Sequence, residues 1–327
     1  MSSYLLFATC LLSGVAQAYT QVDIKEAFMR KTIDPIVFPG SYTDSHLHSF
    51  FGSDAVTANT KTSAELQKGC TNAENPNDLS SYWVPTTYYT ADEGKTWEPM
   101  PLRRFAIYYN LGETEAEVPI PQDLKLVAGN AKAKTKEEMV KDVSVKWVCE
   151  TEGSDTVLDE NGFPANTCST YVQQIIFFPN CVNTQTLESA YKDKTTKKCP
   201  DGMKSMPQPR FSIRWDLTKV LPNGWKGRAP FKLSCGDNAY CSHGDMFMGW
   251  TKEAAEKMLP TTKDPKVRTY VDGALGTGKA GAGCTAKDAE PGKGSSGNDT
   301  KTKTYKRDDM LLPVDLGMPR KARVLRA

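Results

Sequence analysis

Apolar and polar positions alternate with a period of two along several stretches of this chain. In segment 210–217, Phe211, Ile213, Trp215 and Leu217 fall on one face and Arg210, Ser212, Arg214 and Asp216 on the other. Val143, Val145, Trp147 and Cys149 repeat the pattern, as do Phe231, Leu233 and Cys235, and Phe105, Ile107 and Tyr109 after the Arg103–Arg104 pair. Successive side chains of a strand point to opposite faces, so this period predicts half-buried antiparallel strands. Ile175, Ile176, Phe177 and Phe178 run apolar without a break up to Pro179, the pattern of a strand buried on both faces. Helical patterns are short: 23–30, 63–68 and 251–258. The 20 prolines and many Asn/Asp/Gly clusters predict long ordered loops. The expected fold is mainly β, an antiparallel β-sandwich or jelly-roll with long loops and a few short helices.

The start of the chain changes the compartment. Residues 1–18 form a short apolar run ending in Ala16-Gln17-Ala18, the small-x-small pattern of a signal peptide, with Tyr19 as the expected mature N-terminus. The run is too short to span a bilayer, and no later stretch is long enough. Of nine cysteines, Cys10 leaves with the signal. The other eight are Cys70, Cys149, Cys168, Cys181, Cys199, Cys235, Cys241 and Cys284, an even set that implies a disulfide framework with its pairing open. Cys235 and Cys241 are close enough in sequence to close a small loop. No paired C-x-x-C spacing marks a zinc ribbon. Net charge is +2, which gives no reason to bind nucleic acid. Residues 19–285 read as one disulfide-stabilised β-rich domain. Residues 286–327 read as a low-complexity, largely disordered basic tail, with ten Lys/Arg against six Asp/Glu and the sequon Asn298-Asp299-Thr300. An extracellular, secreted protein is expected, with no membrane span. Gly273 to Lys279 nearly spells a phosphate-binding loop, but Ala280 lacks the hydroxyl that would hold magnesium.

All three histidines sit in two short motifs, Ser45-His46-Leu47-His48 and Ser242-His243-Gly244-Asp245. In a strand, residues i and i+2 share a side, so His46 pairs with His48 and His243 with Asp245. If the two segments lie side by side, His46, His48, His243 and Asp245 form a set suited to a divalent transition metal, or to acid–base work without one. A second constellation is aromatic and polar. Asp78, Tyr82, Trp83, Arg104, Asp237 and Trp250 offer rings for sugar faces and polar groups for hydroxyls.

Further blocks carry a resemblance. Asp34-Pro35 through Pro39-Gly40, then Ser45-His46-Leu47-His48 with Gly52, is similar to the opening of a fungal secreted family, the domain of unknown function DUF1996. Asp78-Leu79-Ser80-Ser81-Tyr82-Trp83-Val84-Pro85, the segment 121–129, Phe178-Pro179-Asn180-Cys181, and the run from Gly236-Asp237 through Ser242-His243-Gly244-Asp245 to Gly249-Trp250 resemble its later blocks. The likeness spans roughly residues 30–250. It implies a secreted protein of a walled eukaryote, in a family sometimes fused to WSC sugar-binding modules. Two departures stand out: Val182-Asn183-Thr184 replaces a Trp-Asp-Gly, and no histidine precedes Cys199.

These readings lead to a carbohydrate-active protein of the extracellular space or cell wall, acting on polysaccharide. As an enzyme it would be a hydrolase or lyase. His46, His48, His243 and Asp245 would be the catalytic or metal-binding groups, and Arg104 would hold a sugar carboxylate in an elimination. The alternative is a non-catalytic glycan-binding or structural wall protein, or a secreted effector. A copper site built on an N-terminal histidine does not fit, because the expected first residue is Tyr19.

Overall fold

The period-2 stretches form strands: 105–109, 145–149 and 210–216 lie in a six-stranded sheet and Phe231–Leu233 in a three-stranded one. The computed structural model describes residues 19–109, 116–139, 145–261 and 268–294. The proposed signal peptide, Val143, the sequon and the rest of the proposed tail beyond residue 294 lie outside the described residues.

The larger sheet has six strands in the order Arg268–Thr269, Tyr19–Ile24, Leu102–Tyr109, Pro209–Asp216, Tyr171–Phe177 and Val145–Cys149. All neighbours are antiparallel except the first pair. The second sheet has five strands in the order Met29–Lys31, His48–Gly52, Ser81–Pro85, His243–Phe247 and Lys125–Gly129. Alternation decides what lies between them. Phe105, Ile107, Phe211, Ile213 and Trp215 point from the larger sheet into one core with Phe51, Tyr82, Val84, Leu126 and Met246 from the smaller. Phe51 meets Phe105 edge-on across the sandwich, with ring centroids 4.5 Å apart, and Phe211, on the strand beside Phe105, meets it edge-on at 4.8 Å. Edge-to-face packing of this kind is favourable beyond its area.

The other face of the five-stranded sheet is covered as well. Phe50, Trp83 and Phe247 pack there against Ile33, Val56, Ala58 and Leu66 from the long loops on either side of the His48–Gly52 strand. The helix Ser63–Leu66 anchors this covering layer through a Thr62/Glu65 capping box. The helix Lys252–Thr261 also forms as expected, burying Ala254, Ala255 and Met258.

Two expectations are corrected. Segment 23–30 is not a helix: Val22 and Ile24 pair with Ile107 and Phe105 as a strand, and Met29–Lys31 opens the smaller sheet. Long-range pairing outweighs a short helical pattern of this kind. The Tyr171–Phe177 strand is buried on one face rather than two, with Ile176 inside and Phe177 at the surface under the Arg210 guanidinium.

All eight remaining cysteines pair, as Cys70–Cys284, Cys149–Cys168, Cys181–Cys199 and Cys235–Cys241. The first closes 214 residues and fastens the segment 268–294 to the covering loops. That segment includes the head of the proposed tail. Lys31, 1 % exposed, donates to Asp288 and to the Glu290 carbonyl, and Tyr42 donates to the Glu290 carboxylate. The Gly-rich near-motif at 273–279 docks on Asn77, while Asn75 donates to the Val271 carbonyl just before it, and it opens no helix among the described residues.

Candidate metal centre

The histidines meet because of strand register. His48 opposes Pro85, and Trp83 opposes Asp245, so His48 and Asp245 come from strands that flank the Ser81–Pro85 strand on the covered face of the smaller sheet. Continuing the register sets His243 across Pro85 from His48. Gly129 lies opposite His243, with φ +107°, and a Cβ there would stand 2.3 Å from the Ser242 carbonyl oxygen. Only glycine lets the Lys125–Gly129 strand approach this closely.

Three imidazoles converge. His46 Nε2 and His48 Nε2 each lie 3.2 Å from His243 Nε2. The far nitrogens of two rings are fixed by the backbone: His48 Nδ1 faces the Ile33 carbonyl at 3.1 Å, and His243 Nδ1 faces the Cys241 carbonyl at 2.8 Å. A carbonyl only accepts, so both Nδ1 atoms carry the proton and both Nε2 atoms present lone pairs. Two lone pairs facing each other at 3.2 Å repel unless a cation lies between them. A proton is poorly placed to be that cation, because burial holds all three imidazoles below their ordinary pKa, His243 at about 4. Ligand atoms at about 2.05 Å around a tetrahedral ion would be roughly 3.3 Å apart, close to the 3.2 Å between His243 Nε2 and each of the other two Nε2 atoms.

Asp245 stands beside His48 and His243. Its Oδ2 lies 3.9 Å from His243 Nε2, it is fully buried, and neither carboxylate oxygen has a hydrogen-bond partner. Burial, and then the charge of Asp34, raise its pKa well above the carboxylate range. A buried carboxylate with no donor costs free energy that a bound cation would offset. The ligand atoms of His48, His243 and Asp245 lie within 4.8 Å of one another, and those of His46, His243 and Cys235 form an overlapping group. Cys235 is bonded to Cys241, so its sulfur is no thiolate.

A small cavity adjoins the cluster on the side of Asp34, Val37 and Phe38. Asp34 was not singled out from the sequence, although it opens the first family-like block. It is 3 % exposed, accepts from the Ile36 and Val37 amides, and burial pushes its pKa up to about 6.

The remaining candidates separate. Asp78, Tyr82 and Trp250 are buried between the sheets in a polar network: Tyr82 donates to Asp78 at 2.6 Å and contacts the Tyr109 hydroxyl, which accepts from Trp250 Nε1 at 2.9 Å. Trp83 shares the face of Asp245 but stacks on Phe50 at 5.3 Å under the covering loops. None of these four presents a ring or carboxylate to solvent. Arg104 lies on the outer face of the larger sheet, bonded to both oxygens of Asp23. Asp237 alone lines an open groove, beside Lys232.

The family model described as "Domain of unknown function (DUF1996)" matches residues 34–250, about two thirds of the chain. The chain belongs to the DUF1996 family. The matched span of this DUF1996 protein begins at Asp34, beside the cavity, and holds every residue of the centre. No curated protein and no solved structure matches the chain. The four disulfides fit a protein of an oxidising compartment, and among the described residues no helix is long and apolar enough to cross a membrane.

Proposed function

We propose that this protein is a secreted metal-binding protein that engages extracellular carbohydrate, with one divalent transition metal held by His46, His48, His243 and Asp245. The observation behind the metal is the pair of imidazoles whose Nδ1 atoms are fixed on backbone carbonyls while their Nε2 lone pairs face each other. The unpartnered Asp245 carboxylate beside them supplies negative charge. Imidazole and carboxylate together suit zinc, manganese, iron or copper. The carbohydrate part rests on the likeness to fungal secreted proteins that join WSC modules.

Enclosure favours a fixed centre. His46 is 7 % and His243 4 % exposed, and four protein ligands leave little of a tetrahedral ion open. The non-catalytic, glycan-binding form of the carbohydrate reading fits this geometry better than polysaccharide cleavage at the metal.

The test is metal content by mass spectrometry on protein secreted from a eukaryotic host, beside the folded triple variant H46A/H48A/H243A. The expected result is about one metal per wild-type chain and none in the variant. Wild-type protein that stays metal-free after dialysis against each of the four ions would sink the proposal.

A further inference from the structure

A wide groove opens between segments 90–97 and 221–230, floored by the Phe231–Leu233 strand. It lies apart from the histidine cluster. Trp97 and Trp225 line it, both partly exposed. Trp225 is held rigidly: its Nε1 donates to the Pro164 carbonyl at 2.8 Å, and its ring meets Phe231 edge-on at 4.9 Å. Rings fixed in this way offer flat apolar surface at little cost in conformational entropy.

Lys232 rises from the floor. The residue is only 4 % exposed, and its ammonium sits 4.1 Å from the Trp97 ring centre. Among the described residues no hydrogen bond or ion pair engages this ammonium. Burial lowers its pKa to about 8 against the opposing charge of Asp237. Asp237 opposes this charge without a direct ion pair, so the ammonium is incompletely compensated, and an anion entering the groove would offset that cost. Lys95 and Arg228 add positive charge at the exposed rim, against Glu93 and Asp237.

The geometry points to this groove as the binding site for an acidic oligosaccharide, with a uronate carboxylate on Lys232 and sugar faces on Trp97 and Trp225. Asp237 and Glu93 are placed to accept from the sugar hydroxyls. This assignment rests on the carbohydrate part of the proposed function and is independent of the metal.

Calorimetric titration of the intact secreted protein with an oligogalacturonate, and with the same oligosaccharide after carboxyl reduction, tests it. The acidic ligand is expected to saturate one site and to bind about tenfold or more tightly than the reduced one, the worth of one charge-assisted contact. Lys232→Met keeps the apolar stem and removes the charge. It should lose that advantage for the acidic ligand while binding the reduced one as before, with thermal unfolding reporting that the variant is folded. Equal affinity for the two ligands, or an unchanged preference in K232M, overturns the acidic assignment and leaves a neutral-glycan reading standing. Binding of neither overturns both.

Discussion

Replacing Asp245 with Asn separates a metal ligand from a structural residue, because the two roles predict opposite signs. In the metal-free protein the carboxylate is fully buried with no donor. Asparagine is nearly isosteric, removes the charge, and brings an amide that can donate towards His243 Nε2, 3.9 Å from the present Oδ2. Leaving a buried polar group unsatisfied costs about 1–3 kcal/mol, so the metal-free variant should be the more stable protein by about 1 kcal/mol. For a chain of this size that raises Tm by about 2–4 °C. The metal-loaded comparison runs the other way. A metal at 100 times its Kd stabilises the folded state by about 2.7 kcal/mol, a Tm gain of roughly 5–11 °C. If loss of the carboxylate weakens binding tenfold, the same metal concentration yields about 1.4 kcal/mol and about half the shift. The assay is scanning calorimetry on chelator-treated protein, with and without added metal, disulfides intact. A D245N protein that melts earlier than wild type when metal-free and gains the same shift from metal would refute the reasoning, and would make Asp245 a structural residue.

Two further outcomes follow from the same geometry. Exchanging Cys235 and Cys241 for Ser loosens the turn whose Cys241 carbonyl fixes His243 Nδ1 at 2.8 Å; metal affinity in chelator competition should fall about 10–100-fold, and an unchanged affinity would deny the turn its orienting role. Asp78, with its pKa raised from 3.8 to about 7 by burial, holds in the folded state a proton that the unfolded chain has released over that interval. Its contribution to stability is therefore full below about pH 4 and is lost as pH rises through 7. Asp78→Asn, which keeps an acceptor for the Tyr82 hydroxyl, should flatten Tm between pH 4 and 7, and a slope identical to wild type would count against that protonation.

The strands were legible wherever one face is apolar. Phe105, Ile107, Phe211, Ile213 and Trp215 alternate in the sequence and point into the core together. The shared side of His46 with His48, and of His243 with Asp245, follows from the same period. Their meeting does not: His48 and His243 are 195 residues apart and come together only because both strands pair with Ser81–Pro85 in one register. The aromatic run misled for a related reason. Tyr82 and Trp83 are neighbours with polar flanks, which suggested exposed sugar platforms, yet alternation sends one into the sandwich and the other under the covering loops. Both faces of the smaller sheet are dry, and no local pattern announces a loop layer assembled from Ile33, Val56, Ala58 and Leu66. The groove rings Trp97 and Trp225 stand in aperiodic segments, where a lone tryptophan carries no positional signal.

The histidine cluster is enclosed and the groove is open. A glycan chain reaching the imidazoles would have to displace the turn at Asp34. That turn is fastened by the Asp34 carboxylate on two amides, by the Phe38 amide on the Asp34 carbonyl, and by the Gly40 amide on the Ala58 carbonyl. Breaking several hydrogen bonds at once to admit a polymer is unfavourable, whereas Trp97, Trp225 and Lys232 already line open space. The two places are nevertheless one framework. The strand that bears Lys232 runs on to Ser234, whose hydroxyl donates to the Leu47 carbonyl at 2.5 Å, between His46 and His48. The Thr86 amide donates to that same carbonyl. A cation bound among the imidazoles, as proposed, would therefore also brace the segment on which the groove floor leans.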